Sequence, residues 1–148
     1  MFFSKINETK HNTIITGSSS GRYAYKSIPI SRHAEIDVLK KEKKNYCLTK
    51  KIRRFNLIVV KVSKTGNIST ARPCYHCIKQ LNSASFVRIK NIYYSNKEGN
   101  IIKETFEQLI KSIYDGTAII SSGYRMRMGL TSKQSKDFII LHKKKLLS

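Results

Sequence analysis

Two short segments of this chain hold residue types able to do metal chemistry: His33-Ala34-Glu35 and Pro73-Cys74-Tyr75-His76-Cys77. An imidazole and two thiolates are good zinc donors. Three protein ligands leave a fourth position for water, which separates a catalytic zinc from a closed structural one. Cysteines at i and i+3 project from one side of a helix, so Cys74 and Cys77 can reach one ion. Glu35 stands two residues after the histidine. It can reach a water at the fourth position without ligating the metal, take a proton from it and return that proton to a leaving amine.

This chemistry requires two helix starts and something rigid between them. From Arg32 to about Cys47 the pattern is helical, with Ile36 and Leu39 on one face and Lys40, Lys41, Lys43 and Lys44 turned mostly to solvent. Residues 55–62 (FNLIVVKV) are an apolar, β-branched run and predict a buried strand. KTGN at 64–67 is a turn. Pro73 opens a second helix, on which Cys74, Cys77, Ile78 and Leu81 share a face at i, i+3, i+4, i+7 spacing. Both ligand segments therefore begin helices, whose positive ends and free N–H groups favour thiolate over thiol.

Around this unit, residues 2–6 and 13–17 predict short strands about the polar turn NETKHN, and the Gly/Ser-rich stretch 17–27, with Pro29 after it, reads as loop. Residues 88–95 predict a strand, NKEGN a tight turn, 101–104 a returning strand and 105–114 a helix. So short a turn makes the pair antiparallel, because parallel strands need a crossover of about a dozen residues. Beyond Gly116 come TAII, then SSGYRMRMGL, then a tail that fits either a short helix or a strand. The expected organisation is one domain over 1–148, with a core at about 10–115 and a C-terminal extension over 116–148.

His-x-Glu followed by Pro-Cys-x-x-Cys, each opening a helix and flanking a buried strand, resembles the zinc-dependent cytidine deaminase superfamily. The resemblance covers most of residues 10–115. It implies a three-layer α/β/α cytidine deaminase-like fold of the α/β class, with a mixed five-stranded sheet and an antiparallel final strand pair. It implies Zn2+ as cofactor, with His33, Cys74 and Cys77 as ligands and Glu35 as proton shuttle. The backbone N–H of Cys74 would assist at the reacting centre. The implied reaction is hydrolytic attack of activated water on C4 of cytosine with loss of ammonia.

Within that superfamily, an antiparallel final pair marks the free-nucleoside branch, whereas the branches acting on tRNA adenosine, deoxycytidylate and polynucleotide cytidine place a helix between those strands. The chain departs from the nucleoside pattern at three points. The stretch TGSSSGRYAY lacks the sugar-binding asparagine, for which Ser18, Ser19, Ser20 or Arg22 are substitutes. Arg72 stands where a small residue precedes Pro-Cys, and reads as a contact to a phosphate. The first helix typical of the family is missing or very short. Tyr23, Tyr25 and Tyr75 are candidates for stacking a base, with core packing as the other reading.

Composition bounds the partners. The 148 residues carry 29 Lys+Arg against 9 Asp+Glu, a net charge of +20. Such a balance points to nucleic acid, an anionic surface or an acidic substrate. With 21 Lys, 20 Ile, 9 Asn and 8 Tyr, it equally fits a bias toward A+T-rich codons. The run KKIRR at 50–54 reads as a solvated loop or a phosphate-contacting patch. YRMRM at 124–128 reads as a substrate-contacting or subunit-contact loop. Three cysteines argue against a disulfide framework and for a reducing compartment. Cys47 reads as a small buried hydrophobe, His76 as a surface or substrate-edge residue, and His11 and His142 as solvated.

No apolar run reaches the roughly 18–20 residues of a membrane span, and MFFSKINETK lacks the apolar core of a secretory signal. The expected setting is cytoplasmic or another reducing intracellular compartment, with no membrane partner. A homo-oligomer is expected by analogy with the family. The favoured substrate is a cytosine-containing nucleoside or nucleotide. The alternatives are a deaminase of bases in RNA or single-stranded DNA, and a non-catalytic zinc-stabilised module that binds nucleic acid or protein. A thioredoxin-like use of Cys-x-x-Cys leaves His33 and Glu35 unexplained.

Overall fold

The computed structural model describes residues 2–8, 14–18, 20–25 and 28–141; before His33, and at 132, 136, 140 and 141, the description is of backbone alone. The chain is mixed α/β. Strand β5 (Arg53–Val62) lies at the centre of its main sheet. Its alternation sorts the two faces: Phe55, Leu57 and Val59 are buried, while Asn56, Ile58 and Val60 between them are half-buried.

On one side β5 pairs antiparallel with β1 (Phe2–Glu8), which pairs antiparallel with β2 (Ile14–Ser18). On the other it pairs parallel with β7 (Val87–Ser95), which pairs antiparallel with β8 (Ile101–Thr105). A sixth strand, β6 (Ile68–Ser69), was not expected. The 64–67 turn closes when the Ser63 N–H donates to the Asn67 carbonyl at 2.8 Å, and that brings Ile68 back beside Val62.

Within the stretch read as a Gly/Ser-rich loop, residues 17–18 and 20–25 are instead extended. Residues β3 (Ser20–Tyr25) and β4 (Ile28–Arg32) form a separate two-stranded ribbon. In a two-stranded ribbon every strand is an edge, so Pro29 costs no interior ladder bond. Ser19, residues 9–13 with His11, and His142 lie outside the described residues.

The helices are α1 (Ala34–Thr49), α2 (Tyr75–Ser83), α3 (Phe106–Tyr114), α4 (Ser122–Arg127) and α5 (Ser132–Leu141). The tail that fitted either state is thus helical. Val38 and Leu39 of α1, Ile78 and Leu81 of α2, Leu109 and Ile113 of α3 and Ile139 of α5 join Phe55, Leu57, Val59, Ile92 and Tyr94 in one apolar cluster. Among the described residues the result is two layers, helices on sheet, where three were expected. The other sheet face is mixed in character: Asn91 donates to Asn56 at 3.0 Å, and the Lys103 ammonium lies 5.9 Å from the centre of the Tyr93 ring. Among the described residues no helix is long and apolar enough to cross a membrane.

Candidate metal centre

The two ligand segments occupy equivalent places. His33 is the N-cap of α1, and Cys74 is the N-cap of α2. Pro73 accordingly sits one residue before the cap rather than in the first turn. Neither cap side chain makes a capping hydrogen bond to its own helix, and the two turn toward each other. His33 Nδ1 lies 3.5 Å from Cys74 Sγ and 3.2 Å from Cys77 Sγ. Donor atoms of the three residues fall within 4.8 Å of one another.

This spacing fits a metal ion. With metal–sulfur and metal–nitrogen bonds of about 2.3 and 2.0 Å in tetrahedral geometry, neighbouring donors stand about 3.5 Å apart. Cys77 is fully buried, Cys74 nearly so, and Ile36 from α1 packs against both. The donor set is soft, nitrogen and sulfur, and closed on its protein side by an apolar residue. Both helices present their positive ends here, where thiolate charge is stabilised.

The electrostatics favour sharing of protons within the cluster. The Cys74 thiol is pulled down to about 4, chiefly by a hydrogen bond from Cys77, with His33 adding to the effect against burial. Cys77 moves up, because it donates that hydrogen bond and is itself buried. The His33 imidazole is raised, first by its hydrogen bond with Cys74. Glu35, in the first turn of α1, is buried and stands outside the three-residue donor group. Burial is the main cause that raises its carboxyl, and it is close enough to Cys77 to share a hydrogen bond with it. A carboxyl raised by burial suits an acid–base role.

The sheet sets this geometry. The centre lies at the carboxyl ends of the parallel pair β5 and β7, where open α/β sheets generally bind ligands. The cysteine segment is tied there by Ser95, the last residue of β7. Its carbonyl accepts from the Ala71 N–H at 2.8 Å, and its hydroxyl donates to the Ser69 carbonyl at 2.6 Å. Ser95 is fully buried. Nothing in a strand-ending serine marks such a role in sequence. At the start of α2, the Tyr75 N–H donates to the Ile119 carbonyl at 2.7 Å, joining the TAII segment to the site.

Several other sequence candidates are placed differently from expectation, whereas Lys50, Lys51 and Ile52 of the KKIRR run are exposed, as a solvated loop requires. Arg72 Nη2 lies 3.2 Å from Glu104 Oε2 on β8, so its charge is already matched by a carboxylate. Tyr75 is a core residue, set edge-on to Phe138 at 6.3 Å, and offers no open face to a base. Cys47 is exposed rather than buried. Of the KKIRR run, Arg53 turns toward the buried Glu42, at 4.0 Å, and Arg54 stands in register with Arg88. Both arginines lie at the amino end of β5, roughly 30 Å along the strand from its other end at about 3.3 Å per residue. His76 is half-buried, 2.6 Å from the Gln80 side-chain amide and stacked on Tyr124 at 5.5 Å between ring centres. No protein-family model and no curated protein matches the chain.

Proposed function

We propose that the protein is a zinc-dependent hydrolytic deaminase of a cytosine-containing nucleoside or nucleotide. One observation carries the reading. Three donor side chains converge from two helix N-caps, and a buried carboxylate, Glu35, stands beside them without joining the donor group. A structural metal site has no use for such a carboxylate and closes its fourth position with another ligand.

His33, Cys74 and Cys77 would hold the zinc, which when bound supplies Lewis-acid activation of water. Glu35 would accept the proton of the attacking water and pass it to the departing amino group. Its burial among Ile36, Cys74 and Cys77 keeps that proton from bulk solvent. Among the described residues the Cys74 backbone N–H has no protein acceptor, and it can donate to oxygen at the reacting carbon. The resemblance to cytidine deaminases in the His-x-Glu and Pro-Cys-x-x-Cys segments supports the choice of base, and the antiparallel pair β7–β8 is the arrangement of the free-nucleoside branch. The placement of Arg53 and Arg54 far from the centre argues against a basic track that leads a strand into it.

The test is ammonia release by the purified, zinc-loaded protein from cytidine, deoxycytidine and their monophosphates. Glu35→Gln should retain its zinc and lose about 10²–10⁴-fold in rate, the usual worth of a positioned acid–base group. A Glu35→Gln protein that deaminates normally refutes the mechanism.

A further inference from the structure

The YRMRM segment, which neither the fold nor the reaction explains, lies against the metal centre. Its residues form most of α4, a short helix capped by Ser121, whose hydroxyl accepts from the Tyr124 N–H at 3.3 Å. Helix α4 packs against β4, the strand that runs directly into His33. On its other side the Tyr124 ring stacks on His76, in the first turn of α2 between the two cysteine ligands. Tyr124 also meets Phe138 of α5 at 5.9 Å, and Phe138 meets Tyr75. One short helix therefore bridges both ligand-bearing segments and is anchored by aromatic contacts.

Arg127 follows Tyr124 by three residues, so both fall on the same side of α4. It is exposed. Among the described residues it has no hydrogen-bond acceptor and no carboxylate partner. Tyr124 meets His76, so this side of α4 faces the first turn of α2 and carries Arg127 with it. Arg72 is the other arginine near the cysteines, and Glu104 already neutralises it. A guanidinium on the side of α4 that meets α2, with no carboxylate matched to it among the described residues, suits a phosphate in charge and geometry.

We propose that α4 is the substrate-recognition element of this site and that Arg127 binds a phosphate group of the substrate, making a nucleotide, not a free nucleoside, the preferred class. The inference rests on the deaminase reading for the identity of the base and is tested separately from it.

Binding is measured by calorimetry on the zinc-loaded Glu35→Gln protein, so that turnover does not intervene. Cytidine monophosphate should bind at least about tenfold more tightly than cytidine, the minimum expected of a charged hydrogen bond. Arg127→Gln should remove that preference and leave cytidine binding unchanged, and Arg127→Lys should restore part of it. Rising salt should weaken the monophosphate and not the nucleoside. A short cytosine-containing oligonucleotide is the third arm. If it outcompetes the monophosphate and loses its advantage in Arg127→Gln, the phosphate recognised belongs to a strand. Equal affinity for nucleoside and nucleotide, or a preference that Arg127→Gln leaves intact, overturns the inference. Absence of ammonia release by the wild-type protein overturns the deaminase reading instead, and the binding arms still decide the role of Arg127.

Discussion

Arg72 and Glu104 join the segment that carries the cysteine ligands to the outer strand of the sheet: Nη2 lies 3.2 Å from Oε2 and 3.4 Å from Oε1. The Tyr94 hydroxyl donates to the same carboxylate at 2.9 Å. Arg72 is two residues before the first thiolate, so this pair fixes where α2 begins. Removing one partner of a partly buried charged pair leaves the other without its match. Glu104→Gln and Arg72→Met should each cost about 1–3 kcal/mol, and the double variant less than the sum. Urea unfolding of the two single variants and the double variant measures this. If Arg72 serves a substrate phosphate instead, Glu104→Gln will leave stability unchanged and alter only KM.

The shared proton of the cysteine pair makes a prediction about metal binding. Near neutral pH Cys74, pulled down to about 4, is already a thiolate, whereas Cys77 is held up and keeps its proton. Ligation needs both sulfurs deprotonated and the imidazole neutral. Zinc uptake at pH 7 should therefore release about one proton from the thiols, plus a fraction from His33, whose pKa is raised. Because binding expels protons, affinity should rise with pH, and the count should fall toward one as pH passes the His33 titration. Calorimetry in buffers of different ionisation enthalpy counts these protons. A release of two full thiol protons contradicts the picture of one thiolate and one thiol.

What could be read in the sequence was what is local. His33 and Cys74 are helix caps because each precedes a helical pattern, and the i, i+3 spacing of Cys74 and Cys77 depends on one element alone. The buried run in β5 and the tight turn between β7 and β8 are equally local. The misplacements are matters of register and phase. Glu104 reaches Arg72 across 32 positions only because β8 pairs with β7 so that Tyr94 faces Ile102. Ser95 acquires its role from the parallel pairing of β7 with β5, which brings it beside Lys61 and Ser69. Cys47 is exposed because its turn of α1 lies past the buried stripe that ends at Glu42. The 20–25 stretch looked like loop from its glycine and serines, but pairing with β4 outweighs composition. Tyr75 follows a ligand, yet the start of α2 turns its ring inward to Phe138.

Helix α3 gives a local test of how the hairpin ends. Thr105 is its N-cap and forms a full capping box. The Gln108 N–H donates to the threonine hydroxyl at 3.2 Å, and the Thr105 N–H donates to the Gln108 side chain at 2.8 Å. Thr105→Ala should cost about 1 kcal/mol and Thr105→Ser little. Thr105 lies at the amino end of α3, away from the ligands, so metal content measured by atomic absorption should be unchanged in both.

Metal removal should be felt throughout the helical layer. The ligands cap two helices that meet at one cluster but lie 41 positions apart in the chain, so an ion bound there cross-links α1 to α2. A ligand that binds only the folded state stabilises it by about 4 kcal/mol at a thousand times its Kd. For a chain of this size that is a shift of roughly 10 °C in Tm. A strong chelator should lower Tm by that order, and stoichiometric zinc should restore it. His33→Ala, Cys74→Ser and Cys77→Ser should each bind far less zinc and lose the response to chelator. Cys47→Ser should behave as wild type in both measurements, since Cys47 is exposed and outside the donor group. If Cys47→Ser lost metal as readily as Cys77→Ser, the three-ligand site would be wrong. If chelator left Tm unmoved while zinc was demonstrably removed, the ion would not be bridging the helices.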